Sequence, residues 1–143
     1  MNRAFEDTFS KRPNLHATWQ RFESLLWTAE GARPEIYALC RRRLSQLNGA
    51  KVLPGSPDPD IDAAKLDALD EWWKSDVYTE LERACLGFAE QYAIDPGGIG
   101  DDLARPVVDA LGDAGTIAFV EALAIFDGFT RFCAMLDVGG DPA

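Results

Sequence analysis

The sequence predicts an all-α fold, on three observations. Apolar residues recur at intervals of three and four along most of the chain, which is the period of a helix that buries one face. Strand-like alternation of apolar and polar residues is absent. Prolines or glycines stand at several boundaries between the periodic stretches, where they begin or end helices. Because 143 residues is the usual length of one domain, we expect a single domain over residues 1–143, built as a bundle of about six helices.

The first two predicted helices are bounded by prolines and glycines. The first runs from about Pro13 to Ala29 and is stopped by Gly31. The second opens with Pro34, where a missing N–H group has no cost, and ends at Asn48-Gly49. The apolar faces that they would bury are Leu15, Trp19, Phe22 and Leu26 in the first, and Ile36, Cys40, Leu44 and Leu47 in the second.

A proline-rich loop follows at about residues 50–60, where three prolines within six residues prevent a helix. A third helix is predicted from about Asp62 to Trp73. The aspartates Asp58, Asp60 and Asp62 offer oxygen ligands for a cation, but an acidic loop of this kind is typical of a solvated turn that caps the next helix. We therefore predict no metal site there.

Three further helices complete the prediction. Thr79 and Glu82 have the spacing of a capping box, so a fourth helix begins there and ends at Asp95-Pro96-Gly97-Gly98. A fifth spans about residues 101–111, and a sixth runs from about 114 to 136. The sixth is apolar on more than one face, which predicts that it is central or shared with a partner subunit.

Composition excludes several classes of function. The chain carries 14 basic and 24 acidic side chains, for a net charge of −10, and such a surface repels nucleic-acid phosphates. The adjacent Arg41, Arg42 and Arg43 point in different directions on a helix and form no basic stripe. No apolar run is long enough to span a membrane, and no secretory signal is visible at the N-terminus, so we expect a cytoplasmic protein with no nucleic-acid or membrane partner.

The cysteines and the histidine provide no recognisable cofactor or metal site. Cys40, Cys85 and Cys133 are widely spaced and fall at apolar helical positions, so we expect buried thiols that act as small hydrophobic groups. His16 is the only histidine, whereas common metal sites need several ligands at short spacing. It flanks the apolar stripe of its helix, and we expect it at the surface or at an interface.

Several segments resemble one family of proteins, in order and spacing, from about residue 14 to residue 138. They are Leu44 to Gly49, Trp73 to Glu90 (with Ser75-Asp76, Glu82-Arg83-Ala84 and Phe88-Ala89-Glu90), and Phe129 to Val138. These segments look like blocks of the alkylhydroperoxidase D-like (AhpD-like) and carboxymuconolactone decarboxylase family. The resemblance implies an AhpD-like helical bundle and a homo-oligomer.

The chain departs from that family at the residues of its redox chemistry. In the peroxidase branch, the resemblance would place the two cysteines of a CxxC motif at Ala50 and Leu53, a histidine at Pro57 and a glutamate at Ala38. A CxxC pair works because one thiolate attacks and the second thiol resolves the mixed disulfide. Without either cysteine, we expect the protein not to be a thiol peroxidase.

Three functional hypotheses follow, and the residues leave open whether the protein is an enzyme. The first is a non-redox binding or structural module. The second is an enzyme of the carboxymuconolactone decarboxylase type that acts on a small carboxylated molecule, and the third is residual alkylhydroperoxidase or peroxiredoxin-like activity. The candidate pocket residues are Glu35, Arg43, Gln46 and Arg131. Arg131 suits a carboxylate ligand, but it lies four residues after Asp127, so an intrahelical or intersubunit ion pair is the favoured interpretation.

Overall fold

The computed structural model of the chain describes residues 3–51 and 59–138, and these residues form helices and no β-strand, as the sequence predicts. None of the helices in these two ranges is long and apolar enough to cross a membrane. Two short 3-10 helices lie at Leu69–Lys74 and Pro96–Gly98. The α-helices are α1 (Arg3–Phe9), α2 (Pro13–Thr28), α3 (Pro34–Asn48), α4 (Ala63–Asp67), α5 (Glu80–Ile94) and α6 (Asp101–Leu136).

The ends of these helices follow local chemistry. Pro13 and Pro34 begin α2 and α3, where proline lacks only an N–H that would have no helical partner. Gly49 ends α3 in the left-handed conformation, with φ of +65°, and its N–H donates to Gln46 O. Thr79 Oγ1 accepts from the N–H of Glu82 at 3.1 Å and caps α5. Gly112, with φ of +72° and ψ of 175°, interrupts α6 where two separate helices were predicted.

The structure corrects three details of the sequence prediction. Helix α1 was not predicted. The predicted third helix is instead the short α4 followed by a 3-10 helix, with Glu71 in a non-helical conformation between two turns. The apolar stripe predicted for α2 is only partly buried, since Leu15 is 69% exposed and Phe22 is 40% exposed. Most of the predicted proline-rich loop, residues 52–58, lies outside the described residues.

The main core forms where α3, α5 and α6 pack against one another. Its largest fully buried side chains include Tyr37, Leu44, Leu86, Phe119 and Leu123. The C-terminal half of α2 joins this core through Leu26 and Trp27. A second cluster of buried residues, Phe5, Cys133 and Val138, is packed by Phe9, Trp19 and Phe129, and it attaches α1 and the first half of α2 to the end of α6.

A buried ion pair connects α2 to α3. Arg41 Nη1 lies 3.4 Å from Glu23 Oε1, and the two side chains are 4% and 6% exposed. The Arg41 guanidinium also lies over the rings of Trp27 and Phe126, at 5.1 and 5.9 Å from their centroids. Arg43 is buried as well, so two of the three adjacent arginines contribute to internal ion pairs rather than to the surface.

Candidate functional site

The three thiols are fully buried and unactivated. Cys40 and Cys85 lie in the main core, and Cys133 lies in the second cluster. Burial raises the pKa of Cys85 and of Cys133 to about 12 in each case, and raises that of Cys40 well above its ordinary value. With a pKa of 12, only on the order of one thiol in 100,000 is ionised at pH 7. All three cysteines are free thiols.

The end of α3, where the family resemblance would place the first cysteine, is held by hydrogen bonds to α6. Asn48 Nδ2 donates to Asp127 Oδ1 at 2.9 Å and to Thr130 Oγ1 at 2.8 Å. Ala50 follows, and its N–H donates to Ser45 O at 2.9 Å. Leu53 and Pro57 lie outside the described residues. In the part that the structure describes, this region therefore offers a capped helix end and no nucleophile.

Arg131 is paired within its own helix, as the favoured interpretation expects. Its Nε lies 3.1 Å from Asp127 Oδ2, and its Nη2 donates to the carbonyl oxygen of Ala93 at 3.1 Å. The side chain is 55% exposed. The guanidinium thus ties the end of α5 to α6, with one carboxylate already beside it.

Arg43 and Gln46 are brought together by the structure. Arg43 Nε donates to Glu90 Oε1 at 2.6 Å, and Arg43 Nη1 donates to Gln46 Oε1 at 2.8 Å. Glu90 Oε1 also accepts from Trp72 Nε1 at 2.8 Å. This network joins α3 to α5 and to the 3-10 helix before it, so its donors and acceptors already satisfy one another.

Two of the four predicted pocket residues, Glu35 and Gln46, border different clefts. Glu35 borders two clefts near the N-terminal ends of α3 and α5, while Gln46 borders a small cleft with Ala50. Neither Arg43 nor Arg131 lines these clefts. No group of three or more His, Cys, Asp and Glu side chains in the described ranges is placed to hold a metal ion.

An apolar groove, which we call the aromatic groove, lies between α1, the first half of α2 and the last part of α6. Its volume is about 480 Å³, within the range of small-molecule sites. Phe9, His16, Trp19 and Phe129 form its stacked wall, with ring centroids 5.1 Å apart for Phe9 and His16 and 4.3 Å apart for Trp19 and Phe129. The remaining lining residues are Thr8, Arg12, Leu15, Ala124, Ile125, Gly128 and Phe132.

A few polar groups accompany this apolar wall. Thr8, Arg12 and His16 line the groove on the α1–α2 side. In the part of the chain that the structure describes, the buried Nδ1 of His16 and Nε1 of Trp19 have no hydrogen-bond partner. An apolar wall with a few polar groups beside it is the usual composition of a small-molecule site.

Sequence reasoning did not identify the aromatic groove as a site. It placed Leu15 and Trp19 on a buried stripe and the sixth helix, which carries Phe129, at the centre or at a subunit interface, and it did not predict α1, which supplies Phe9. The signals in the sequence that pointed in this direction were His16 beside the apolar stripe of its helix and the aromatic residues Phe129 and Phe132 of the sixth helix.

Comparison with known proteins adds no assignment. No family model matches this chain, and no curated protein matches it.

Proposed function

We propose that this protein is a non-redox binding module whose aromatic groove takes a small, largely apolar molecule that carries a carboxylate. The observation that supports this most strongly is the groove itself, with its volume of about 480 Å³ and its stacked aromatic wall. Apolar ligand surface packs against such walls, and Arg12 supplies a cation on one side for an anionic head group.

The buried thiols favour binding over redox chemistry. A peroxidatic cysteine must be ionised and accessible, whereas Cys85 and Cys133 are fully buried and have pKa values of about 12. We also propose that the chain is a divergent member of the AhpD-like and carboxymuconolactone decarboxylase family, which would have lost the redox pair and kept the bundle. Under that proposal, residual peroxidase activity is the least supported of the three hypotheses.

Because the proposed ligand carries a carboxylate, an enzyme of the carboxymuconolactone decarboxylase type is a second candidate function. Arg131 and Arg43 support it weakly, because each is already paired with a carboxylate, Asp127 and Glu90 respectively. An enzyme of this type needs a group that exchanges a proton with its substrate, and His16 in the groove wall is the residue that would supply it. Turnover of a bound carboxylic acid that is lost in His16→Gln would support this candidate.

The binding proposal is tested with decanoate and its uncharged analogue decanol, using the fluorescence of Trp19 in the groove wall. Decanoate should bind saturably, and Ala124→Trp, which fills the groove, should abolish binding. The matched control is Ala110→Trp, an exposed position on the same helix that does not line the groove. Four tryptophans contribute to the signal, so calorimetry on the same samples should give the same affinity.

The charged head group is tested separately. Arg12→Met should weaken decanoate and leave decanol unchanged, while Arg21→Met, an exposed arginine of α2 outside the groove, should change neither. Equal weakening of both ligands by Arg12→Met would contradict the assigned role of Arg12. Binding that survives Ala124→Trp would contradict the groove as the site.

Self-association is a further proposal, and exposed apolar side chains favour it. Leu25 on α2 is 64% exposed, and Ile117 and Met135 on α6 are 61% and 74% exposed. These three residues do not line the aromatic groove, so an interface that they form would leave the groove open to a ligand. We expect native mass spectrometry to show an oligomer that Leu25→Lys or Met135→Lys dissociates. A monomer at micromolar concentration would refute this proposal without bearing on ligand binding.

A further inference from the structure

A second cleft, which we call the acidic cleft, lies where three helices begin. Glu35 is in the first turn of α3, Asp62 caps the N-terminus of α4, and Glu82 is in the first turn of α5. With Asp60 and Lys65 they supply the charged lining of a cavity of about 220 Å³. The N-terminus of a helix carries a partial positive charge, which attracts carboxylates at such positions.

Glu82 is the unusual residue of this cleft. Its side chain is only 8% exposed, and its Oε1 accepts from Lys65 Nζ at 2.6 Å. Its Oε2 is buried and has no hydrogen-bond partner among the described residues. A capping box would direct this carboxylate back to the backbone of Thr79, but it is directed to Lys65 instead. Leaving a buried carboxylate oxygen unsatisfied is costly, and such atoms indicate a missing partner.

The charges around the cleft favour a cationic partner. Four carboxylates face one ammonium group, and one of the four, Asp62, uses Oδ1 to accept from the N–H of Ala64 at 3.0 Å. An adjoining cleft shares Glu35 and Glu82 and adds Arg33, which leaves the negative charge in excess. Anions are therefore repelled, while a donor that reaches Glu82 Oε2 gains a charge-assisted hydrogen bond.

We propose that the acidic cleft binds a small organic cation with a primary ammonium group, of the alkyl diamine class. One ammonium would donate to the Glu82 carboxylate in place of Lys65 Nζ, and the second would lie near the carboxylates of Asp60 and Glu35. A bare metal ion fits less well, because no three acidic, His or Cys side chains in the described ranges are placed to coordinate one. This inference is independent of the aromatic groove.

The test is calorimetric titration with 1,4-diaminobutane in moderate salt. Glu82→Gln removes the charge with little change of shape and should weaken binding by about tenfold or more. The matched control is Glu80→Gln, an exposed carboxylate of the same helical turn that does not line the cleft. It should leave the affinity within about twofold of the original, as expected for a screened surface charge.

Lys65 distinguishes a cation site from an anion site. Because its ammonium competes for Glu82, Lys65→Gln should tighten diamine binding, whereas an anion site would be weakened by the same change. If Glu82→Gln does not fold, Asp60→Asn at the exposed rim provides a second variant and should also weaken binding. The proposal is overturned if the original protein does not bind the diamine, if Lys65→Gln weakens it, or if Glu80→Gln and Glu82→Gln weaken it equally. Magnesium chloride that displaces the diamine at equal concentration would overturn the organic cation as the ligand.

Discussion

Replacing Glu23 by leucine is expected to destabilise the fold by about 3–5 kcal/mol, the usual cost of removing one partner of a buried ion pair. The side chains of Glu23 and Arg41 are only 6% and 4% exposed, so little water is available to solvate the remaining charge. The rings of Trp27 and Phe126 stay beside the guanidinium in the variant, so their cation–π attraction is present in both proteins and does not reduce the expected difference.

The assay is urea unfolding and thermal unfolding of four proteins: the original, Glu23→Leu, Arg41→Met and the double variant. For a domain of 143 residues, a loss of 3–5 kcal/mol lowers Tm by roughly 10–15 °C. The double variant should recover most of the loss, because well-packed apolar residues replace a buried pair at little cost. If Glu23→Leu costs less than about 1 kcal/mol, the pair behaves like a solvated surface pair, and the cost assigned to the remaining buried charge is wrong.

Three further predictions concern the thiols and two local conformations. Burial raises the pKa of Cys85 and Cys133 to about 12, so the folded state keeps these protons to a higher pH than the unfolded state does, and the free energy of unfolding should fall above about pH 9 by roughly 1.4 kcal/mol per pH unit for each thiol. Cys133→Ala should make this fall less steep in urea unfolding between pH 8 and pH 10. An unchanged slope would contradict the raised pKa of Cys133. Thr79→Ala should cost about 1 kcal/mol of unfolding free energy through loss of the α5 cap, whereas the exposed Thr28→Ala should cost less. Gly112→Ala should cost about 1–3 kcal/mol, because φ of +72° with ψ of 175° strains any L-residue while the added Cβ meets no neighbour; a neutral effect would show that α6 straightens instead.

The helical bundle was predictable because its information is local. Prolines at 13 and 34, the cap at Thr79 and the glycine at 49 each act on their own neighbourhood and begin or end a helix as expected, and Gly112 lies in the gap between the fifth and sixth predicted helices. The predicted helix over Asp62 to Trp73 is wrong in detail because tertiary contacts compete with its periodicity. Tyr78 bonds to Lys65 O, and Arg83 donates to the carbonyls of Trp72, Trp73 and Ser75, which shapes the chain there into short turns.

The candidate sites were less predictable because they depend on which faces remain open. Periodicity marks Leu15 and Trp19 as apolar, but it cannot distinguish a buried stripe from the wall of a groove. Likewise, Glu82 reads as half of a capping box, and only the approach of Lys65 from α4 reveals that its carboxylate is directed elsewhere. Arg43 and Gln46 were correctly grouped on one helix, yet Glu90, distant in sequence, satisfies the arginine.

Two separate apolar clusters allow one part of the chain to open without the other. Helix α1 and the first half of α2 depend on the smaller cluster, whereas α3, α5 and most of α6 depend on the larger one. The amide protons of the first segment can therefore exchange with solvent through a partial opening that leaves the larger cluster intact. Because the aromatic groove lies across that junction, its ligand would slow exchange from about Phe5 to Trp19 while leaving exchange in the centre of α3 almost unaffected.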